Sequence, residues 1–440
     1  MTTGVTVPGI SASSDAKQAI TATLAAVIGW SFDLFDLFII LFVAPTIAPI
    51  FFPSSSPTLS LAGVYAAFAV TLLMRPVGAA LFGPYADKHG RRQALVVTVV
   101  GVGIATVLMG ALPTIGQAGL IAPILFIILR LIQGVFVGGV VTSSHTISTE
   151  SAPPHLRGFL SGLIGGGGAA LGGLLASIVF YIVSSIFAGP AFSIWGWRFM
   201  FFSSILGVIC GLFVFRTLDE SPMWTNLHDQ RGAVEHTPLR TLFSGKHRTI
   251  VLLNIMVAAG AGSAYYLTSG YIPTFLRVVN KVPKAETGLI LIVASLIILV
   301  VAPLVGHVSE LIGRRPTFLI IGVVNLIAIP ILYSQFGKLA GDATGPITFY
   351  VLLLTVLGNA AYAPVLVFLN ERFPTAIRAT GTALCWNVGF AIGGIMPTFA
   401  TLASKGFANL SLSLTIFLEA AMVVYLIGAL ATPETRGRFE

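Results

Sequence analysis

Charge is what this chain has least of. Only 9% of its 440 residues are Asp, Glu, Lys or Arg, against about 25% in soluble domains. With a mean hydropathy of +0.94, a water-soluble globule is excluded. Cysteine is nearly absent. Cys210 and Cys385 both fall in apolar runs, so neither a disulfide framework nor a metal site is indicated. Period-2 alternation is missing, which excludes a membrane barrel. No Gly-x-x-x-x-Gly-Lys-Ser/Thr loop occurs, so primary active transport by this chain alone is not expected. The positive charges are spread along membrane edges, a poor arrangement for binding nucleic acid.

What fills the chain is apolar runs of about 20 residues, each able to span about 30 Å of hydrocarbon as a helix. Helices satisfy their own backbone hydrogen bonds, so the reading is all-helical. Twelve spans are expected, at about 19–44, 61–82, 94–112, 119–147, 158–187, 197–216, 249–275, 286–308, 316–334, 347–370, 379–404 and 411–431. The first lacks a clear cleavage site and is too long for a signal peptide. With the N-terminus inside, 16 Lys/Arg residues lie in cytosolic segments. Six lie outside: Arg198, Arg277, Lys281, Lys284, Lys338 and Lys405. That bias places both termini in the cytosol, and an inner membrane is the expected location. Six spans precede the longest polar segment and six follow it. The expected organisation is a six-helix bundle over 1–216, a cytosolic linker over 217–248 and a second bundle over 249–440. The linker holds His228, His236 and His247, whose spacing fits no metal-ligand pattern.

A motif occurs twice, some 220 residues apart. Gly83-Pro84-Tyr85-Ala86-Asp87-Lys88-His89-Gly90-Arg91-Arg92 is matched by Gly306-His307-Val308-Ser309-Glu310-Leu311-Ile312-Gly313-Arg314-Arg315. Glu150 and Arg157 are likewise echoed by Glu371 and Arg378 at nearly the same offset. Two ordered matches imply two equivalent halves, with the substrate site between them near the bilayer midplane. Gly83 and Gly306 let neighbouring helices approach closely. Asp87, Glu310 and the arginines can pair and cap helix ends. Those charges form either a cytosolic gate or a simple topology anchor.

This doubled loop resembles the signature of the major facilitator superfamily between helices 2 and 3 and helices 8 and 9. The resemblance covers the whole chain and implies two pseudo-symmetric six-helix bundles. In the superfamily, Glu150, Arg157, Glu371 and Arg378 would join the cytosolic charge network.

Five charges lie inside the spans: Asp33, Asp36, Glu419, Arg75 and Arg130. Each costs roughly 3 kcal/mol at the bilayer centre on insertion scales. Asp33 and Asp36 share one face of span 1. Ionising both on an apolar face is costly, so such a carboxyl can exchange protons near neutral pH. Glu419, in span 12, is either a second proton site or structural. Arg130-Leu131-Ile132-Gln133-Gly134 and Phe35-Asp36 resemble patterns of proton-coupled sugar and organic-acid symporters. In those relatives the Asp and Arg can pair, so protonating Asp36 would free Arg130. Met74-Arg75-Pro76-Val77-Gly78 resembles the metabolite:proton symporters, and Arg157 to Gly162 the sialate and lactate carriers. Val140 stands where the former carry Glu. Arg75 either snorkels or contacts substrate. Gln133, Tyr265, Tyr266, Asn359, Tyr362, Trp386 and Asn387 are substrate candidates or packing groups. Gly165 to Gly168 read as close helix packing, not a nucleotide loop.

The expectation is a proton-coupled symporter that imports a small organic anion, such as lactate or pyruvate, working as a monomer in the lipid bilayer without cofactor or metal. A proton-coupled sugar or polyol carrier and a drug/proton antiporter are the alternatives. Two buried arginines favour the anion.

Overall fold

The structure, a computed structural model, describes residues 12–89, 91–151, 153–217, 242–243, 245 and 247–438. All regular structure among them is helical. The first half holds α1 (Ala12–Phe51), α2 (Pro57–His89), α3 (Arg91–Ala111), α4 (Ile121–Ser151) and α5 (Arg157–Ile186). Its sixth helix, α6, runs in three pieces, Phe192–Gly196, Trp197–Phe202 and Ser204–Thr217. The second half holds α7 (His247–Val278), α8 (Lys284–Ile312) and α9 (Arg314–Phe336). It ends with α10 (Thr344–Glu371), α11 (Thr375–Ser404) and α12 (Leu410–Ala431). Eleven of these are apolar over a full membrane thickness. The apolar part of α3, Val96–Ala111, is shorter.

Most helices outrun their expected spans because hydrogen bonding continues past the point where hydropathy falls. α1 extends to 12–51 against 19–44. Four helices expected as unbroken are interrupted, α6 at Ser203 and three others. In α5 a π turn covers Leu163–Gly167, running into the glycine run at Gly165. α7 breaks between Leu267 and Ile272, beside Gly270 and Pro273. α10 breaks between Tyr362 and Val365 at Pro364, which has no N–H to continue the ladder. Of these breaks, the one in α7 places Ser269 against a cavity, where non-helical backbone is tolerated in a membrane.

The glycines of α5 serve close approach. A Cβ on Gly172 would lie 2.4 Å from the Ser31 carbonyl oxygen of α1. The two halves meet along α2 against α11 and α5 against α8. With twelve crossings, α1 begins and α12 ends on one face, called here the terminal face. There, a Cβ on Gly306 of α8 would lie 2.2 Å from the Gly158 carbonyl oxygen of α5. On the opposite face the Tyr65 hydroxyl donates to Thr274 at 2.8 Å, and the Tyr65 ring stacks on Tyr271 at 4.9 Å. Tyr181 also closes on Gly288. The halves therefore touch at both faces, around an interior that is partly empty.

Candidate translocation site

The buried charges of the first half sit on three helices. Asp33 and Asp36 are three residues apart on α1, about 4.5 Å along the axis, yet they face different neighbours. Arg75 of α2 donates from Nη2 to Asp33 Oδ2 at 3.2 Å, and both side chains are almost wholly buried. Arg75 therefore neither snorkels to the interface nor lies open. Asp36 accepts a 2.6 Å hydrogen bond from the Ser204 hydroxyl of α6.

Arg130 of α4 forms no ion pair with Asp36, unlike the direct pairing that the resemblance implied. Its Nη1 donates to Gln133 Oε1 at 2.5 Å, and Gln133 Nε2 donates to Thr106 at 2.7 Å. Asp36 still lies close enough to bear electrostatically on Arg130. The physical reason is spacing: Gln133 follows Arg130 by three residues on one helix face and reaches the guanidinium first. Arg130 Nη2, Arg75 Nε and Asp33 Oδ1 are buried without a hydrogen-bond partner.

Facing these charges is a ring cluster from both halves. Trp30 of α1 meets Trp386 of α11 edge-on at 5.9 Å. Trp386 stacks on Phe390 at 4.1 Å, and Tyr362 stacks on Tyr265 at 5.1 Å. Phe68 of α2 meets Tyr266 at 5.4 Å. Asp33 and Arg75 lie close enough to act electrostatically on Tyr265, Tyr266 and Tyr362. The hydroxyl of Tyr265 and Oδ1 of Asn387 are buried without partners. Orphaned polar atoms of this kind cost about 1–3 kcal/mol each, a cost that a polar ligand can relieve. Asn359 is engaged, donating to Ser269 and to the Thr355 carbonyl, each at 2.8 Å. A small cavity lies beside the rings, lined by Phe38, Tyr265, Asn359, Ser295 and Thr355 among others.

Glu419 stands apart. It is half-buried on α12, which packs on α7, α9 and α11, and it takes part in none of the ion pairs described. Ser204, Thr106 and Phe38 were not anticipated. A lone hydroxyl or ring in an apolar run carries no sequence signal.

At the terminal face the second motif copy folds into a dense network. Arg314 grips Glu371 at 2.9 and 3.1 Å and Glu310 at 2.6 Å, and it donates to the Ser309 hydroxyl at 2.7 Å. Glu310 then crosses to the first half and accepts the Gly158 backbone N–H of α5 at 2.9 Å. That amide lies in the first turn of α5 and lacks an intrahelical acceptor. Ser161 of α5 similarly accepts the Val367 N–H of α10 at 3.0 Å. Arg378 donates instead to the Asn370 and Phe373 carbonyls at 3.1 and 3.2 Å. Glu371 thus pairs with Arg314 rather than with Arg378. Arg157 starts α5 next to Gly158. The side chains of Asp87, Arg91, Arg92 and Glu150, the surroundings of Gly83, and His228 and His236 lie outside the described residues.

Glu434, just past α12, completes the network and was missed in the sequence. It accepts the backbone N–H groups of Arg314 and Arg315 at 2.9 and 3.0 Å, capping α9. Burial works to raise its carboxyl. Backbone donors from Arg436, Arg314, Arg315 and Thr435 outweigh that and hold it below the usual glutamate range. Thr435 donates to Glu371 at 2.8 Å, and Arg315 Nη2 donates to the Leu430 carbonyl at 2.9 Å. An acid directly following a span was the available signal.

Two six-helix halves closing over a buried charged and aromatic interior define a membrane transporter. The chain belongs to the Major Facilitator Superfamily, whose family model matches residues 21–398. It is 32% identical over 420 residues to the inner membrane metabolite transport protein YhjE of Escherichia coli, covering 94% of each chain. It is 31% identical over 431 residues to the proline/betaine transporter of the same organism, covering 96% of this chain and 84% of that one. The crystal structure of a D-xylose-proton symporter superposes with TM-score 0.73 at 21% identity, covering 96% of this chain and 99% of that one.

Proposed function

We propose that the protein is a proton-coupled symporter that imports a small organic anion of the size of lactate or pyruvate. It works as a monomer by alternating access, in an inner membrane with both termini cytosolic. Residues 1–216 and 249–440 are the two moving bundles, and 217–248 links them.

One observation carries this reading: Arg130 is fully buried, forms no ion pair among the described residues, and leaves Nη2 without a partner, while Asp36 lies close enough to bear on its charge. Asp33 and Arg75 balance each other. Asp36, while ionised, balances Arg130 at a distance. A proton on Asp36 leaves Arg130 as excess positive charge in an apolar interior, which is costly. A carboxylate against the free edge of the guanidinium relieves that cost with charge-assisted hydrogen bonds. Each ligand therefore strengthens binding of the other, which is coupling in the thermodynamic sense. Gln133, Tyr265, Tyr266, Asn359, Tyr362, Trp386 and Asn387 supply the remaining walls and donors. Glu310, Arg314, Glu371 and Gly158 form the cytosolic gate, with Asp87, Arg91, Arg92, Glu150 and Arg157 as its counterpart in the first half.

The ring cluster favours one second reading. Tyr265, Tyr362, Trp386 and Phe390 present faces that suit a quaternary ammonium, and one relative is named a proline/betaine transporter. A zwitterion would place its carboxylate on Arg130 and its cation among the rings. Uptake of labelled lactate, pyruvate and betaine into proteoliposomes separates the readings. External acid should speed uptake, and a protonophore should abolish it. Uptake indifferent to both contradicts proton symport.

A further inference from the structure

A second cavity, about 600 Å³ counting the solvent space it opens to, lies on the face opposite the termini. Its walls include Pro45, Thr46 and Pro49 of α1, Phe180 of α5, and Arg277 and Lys284 from the ends of α7 and α8. The two cations are near enough to repel, and no carboxylate is among the described residues that line the cavity. Lys284 sits over the Phe192 ring at 5.0 Å, and Arg277 Nη1 donates to the Val282 carbonyl. Neither contact neutralises charge. Glu286, close along the chain, accepts from the Thr344 hydroxyl instead.

Phe42 lines this vestibule and the central cavity alike. Its ring meets Phe180, which lines the vestibule, at 5.6 Å and Phe38, which lines the central cavity, at 5.8 Å. One aromatic ring is thus shared by the walls of an outer basic chamber and of the inner chamber beside Tyr265 and Asn359. Like charges held together in a cavity lower the energy of an anion placed between them and raise its local concentration.

We propose that Arg277 and Lys284 form a capture site for the carboxylate of the incoming organic anion, with the Phe42 ring as the partition it passes to reach the central cavity. This deepens the symport reading and rests on its anionic substrate.

The test uses the full-length protein in sealed vesicles. Lys284 is labelled with pyridoxal 5′-phosphate, an anionic aldehyde, and in parallel with neutral N-acetoxysuccinimide. Modified peptides are quantified by mass spectrometry after borohydride trapping for the aldehyde. Lys284 should show a higher anionic-to-neutral labelling ratio than Lys338 or Lys405 on the same face. Arg277→Gln should lower that ratio about tenfold, the low end of steering by clustered charge. Pyruvate should protect Lys284 where glucose does not. A Lys284 ratio equal to those of Lys338 and Lys405, or one unchanged by Arg277→Gln, overturns the proposal. Arg277→Gln also removes the bond to Val282, so Lys284→Gln, which keeps it, is measured for transport. It should raise the external KM for pyruvate several-fold with little change in maximal rate. Pyruvate uptake at wild-type KM in Lys284→Gln sinks the capture site and leaves the symport reading standing. Selective labelling with no organic anion transported keeps the vestibule as an anion site and sinks the symport reading.

Discussion

Replacing Gly306 with alanine should hold the terminal face open. The added Cβ would lie 2.2 Å from the Gly158 carbonyl oxygen, and its next neighbours, Gly158 C and Gly162 Cα at 3.1 Å, are also backbone. No rotamer can relieve this contact. The gap must widen to at least 3.0 Å, and only separation of α8 from α5 widens it. Overpacking of this kind costs about 1–3 kcal/mol. The cost falls on the closed state alone, since each half keeps its own packing. It therefore appears as a shift of about 5- to 150-fold toward the state open at the terminal face. The same separation stretches the Glu310 bond to the Gly158 amide. Spin labels at His155 and Leu311, exposed positions on opposite halves, report the opening as a longer distance by electron double resonance. Uphill transport should fall while expression and thermal stability stay near wild type. A distance distribution in Gly306→Ala that overlays the wild type would refute the argument.

Arg75→Gln should destabilise the protein by about 3–5 kcal/mol because it strands Asp33. Asp33→Asn combined with Arg75→Gln should recover much of that loss in thermal melts; purely additive losses would show that the pair does not interact. Arg130→Lys should express normally and transport poorly, since Lys keeps the charge and loses the planar fork; wild-type uptake kinetics would make Arg130 a structural charge only. Arg314→Lys should weaken the two-point hold on Glu371, seen as the same lengthening between labels at His155 and Leu311. Glu434 is held below its ordinary range, so its stabilisation is complete above about pH 4.5 and is lost as pH falls through its lower folded value. Melts of Glu434→Gln should lie below wild type at pH 7, and the gap should narrow below pH 4.5; a constant gap would mean that its charge plays no part.

Much of the fold was legible because a membrane leaves so few choices. Long apolar runs must be helices, and a motif repeated at one offset must mark equivalent halves. Helix breaks were harder. Pro364 and Gly270 are visible as residues, but whether they kink or interrupt a helix depends on how the neighbouring helices pack there. Site partners were harder still. Asp33 and Asp36 share a helix face, yet one meets Arg75 and the other Ser204. Which neighbour lies at which depth is set by packing of α2 and α6, not by anything local to α1. Arg130 misled for a related reason: the resemblance supplied Asp36 as its partner, whereas Gln133, one turn away, takes the guanidinium. Glu434 was passed over because it lies outside the spans, where a short tail reads as solvent.

The central claim is that a proton on Asp36 and a carboxylate at Arg130 bind as a coupled pair. Asp36→Asn tests it most directly, because Asn keeps the shape of a protonated Asp and cannot release a proton. Proteoliposomes containing this variant should retain counterflow exchange of labelled pyruvate and lose uphill accumulation under an inward proton gradient, while Asp33→Asn should be less affected in coupling. Proton-driven accumulation at wild-type level in Asp36→Asn would contradict the account, and a coupling defect confined to Asp33→Asn would move the proton site to the Arg75 pair.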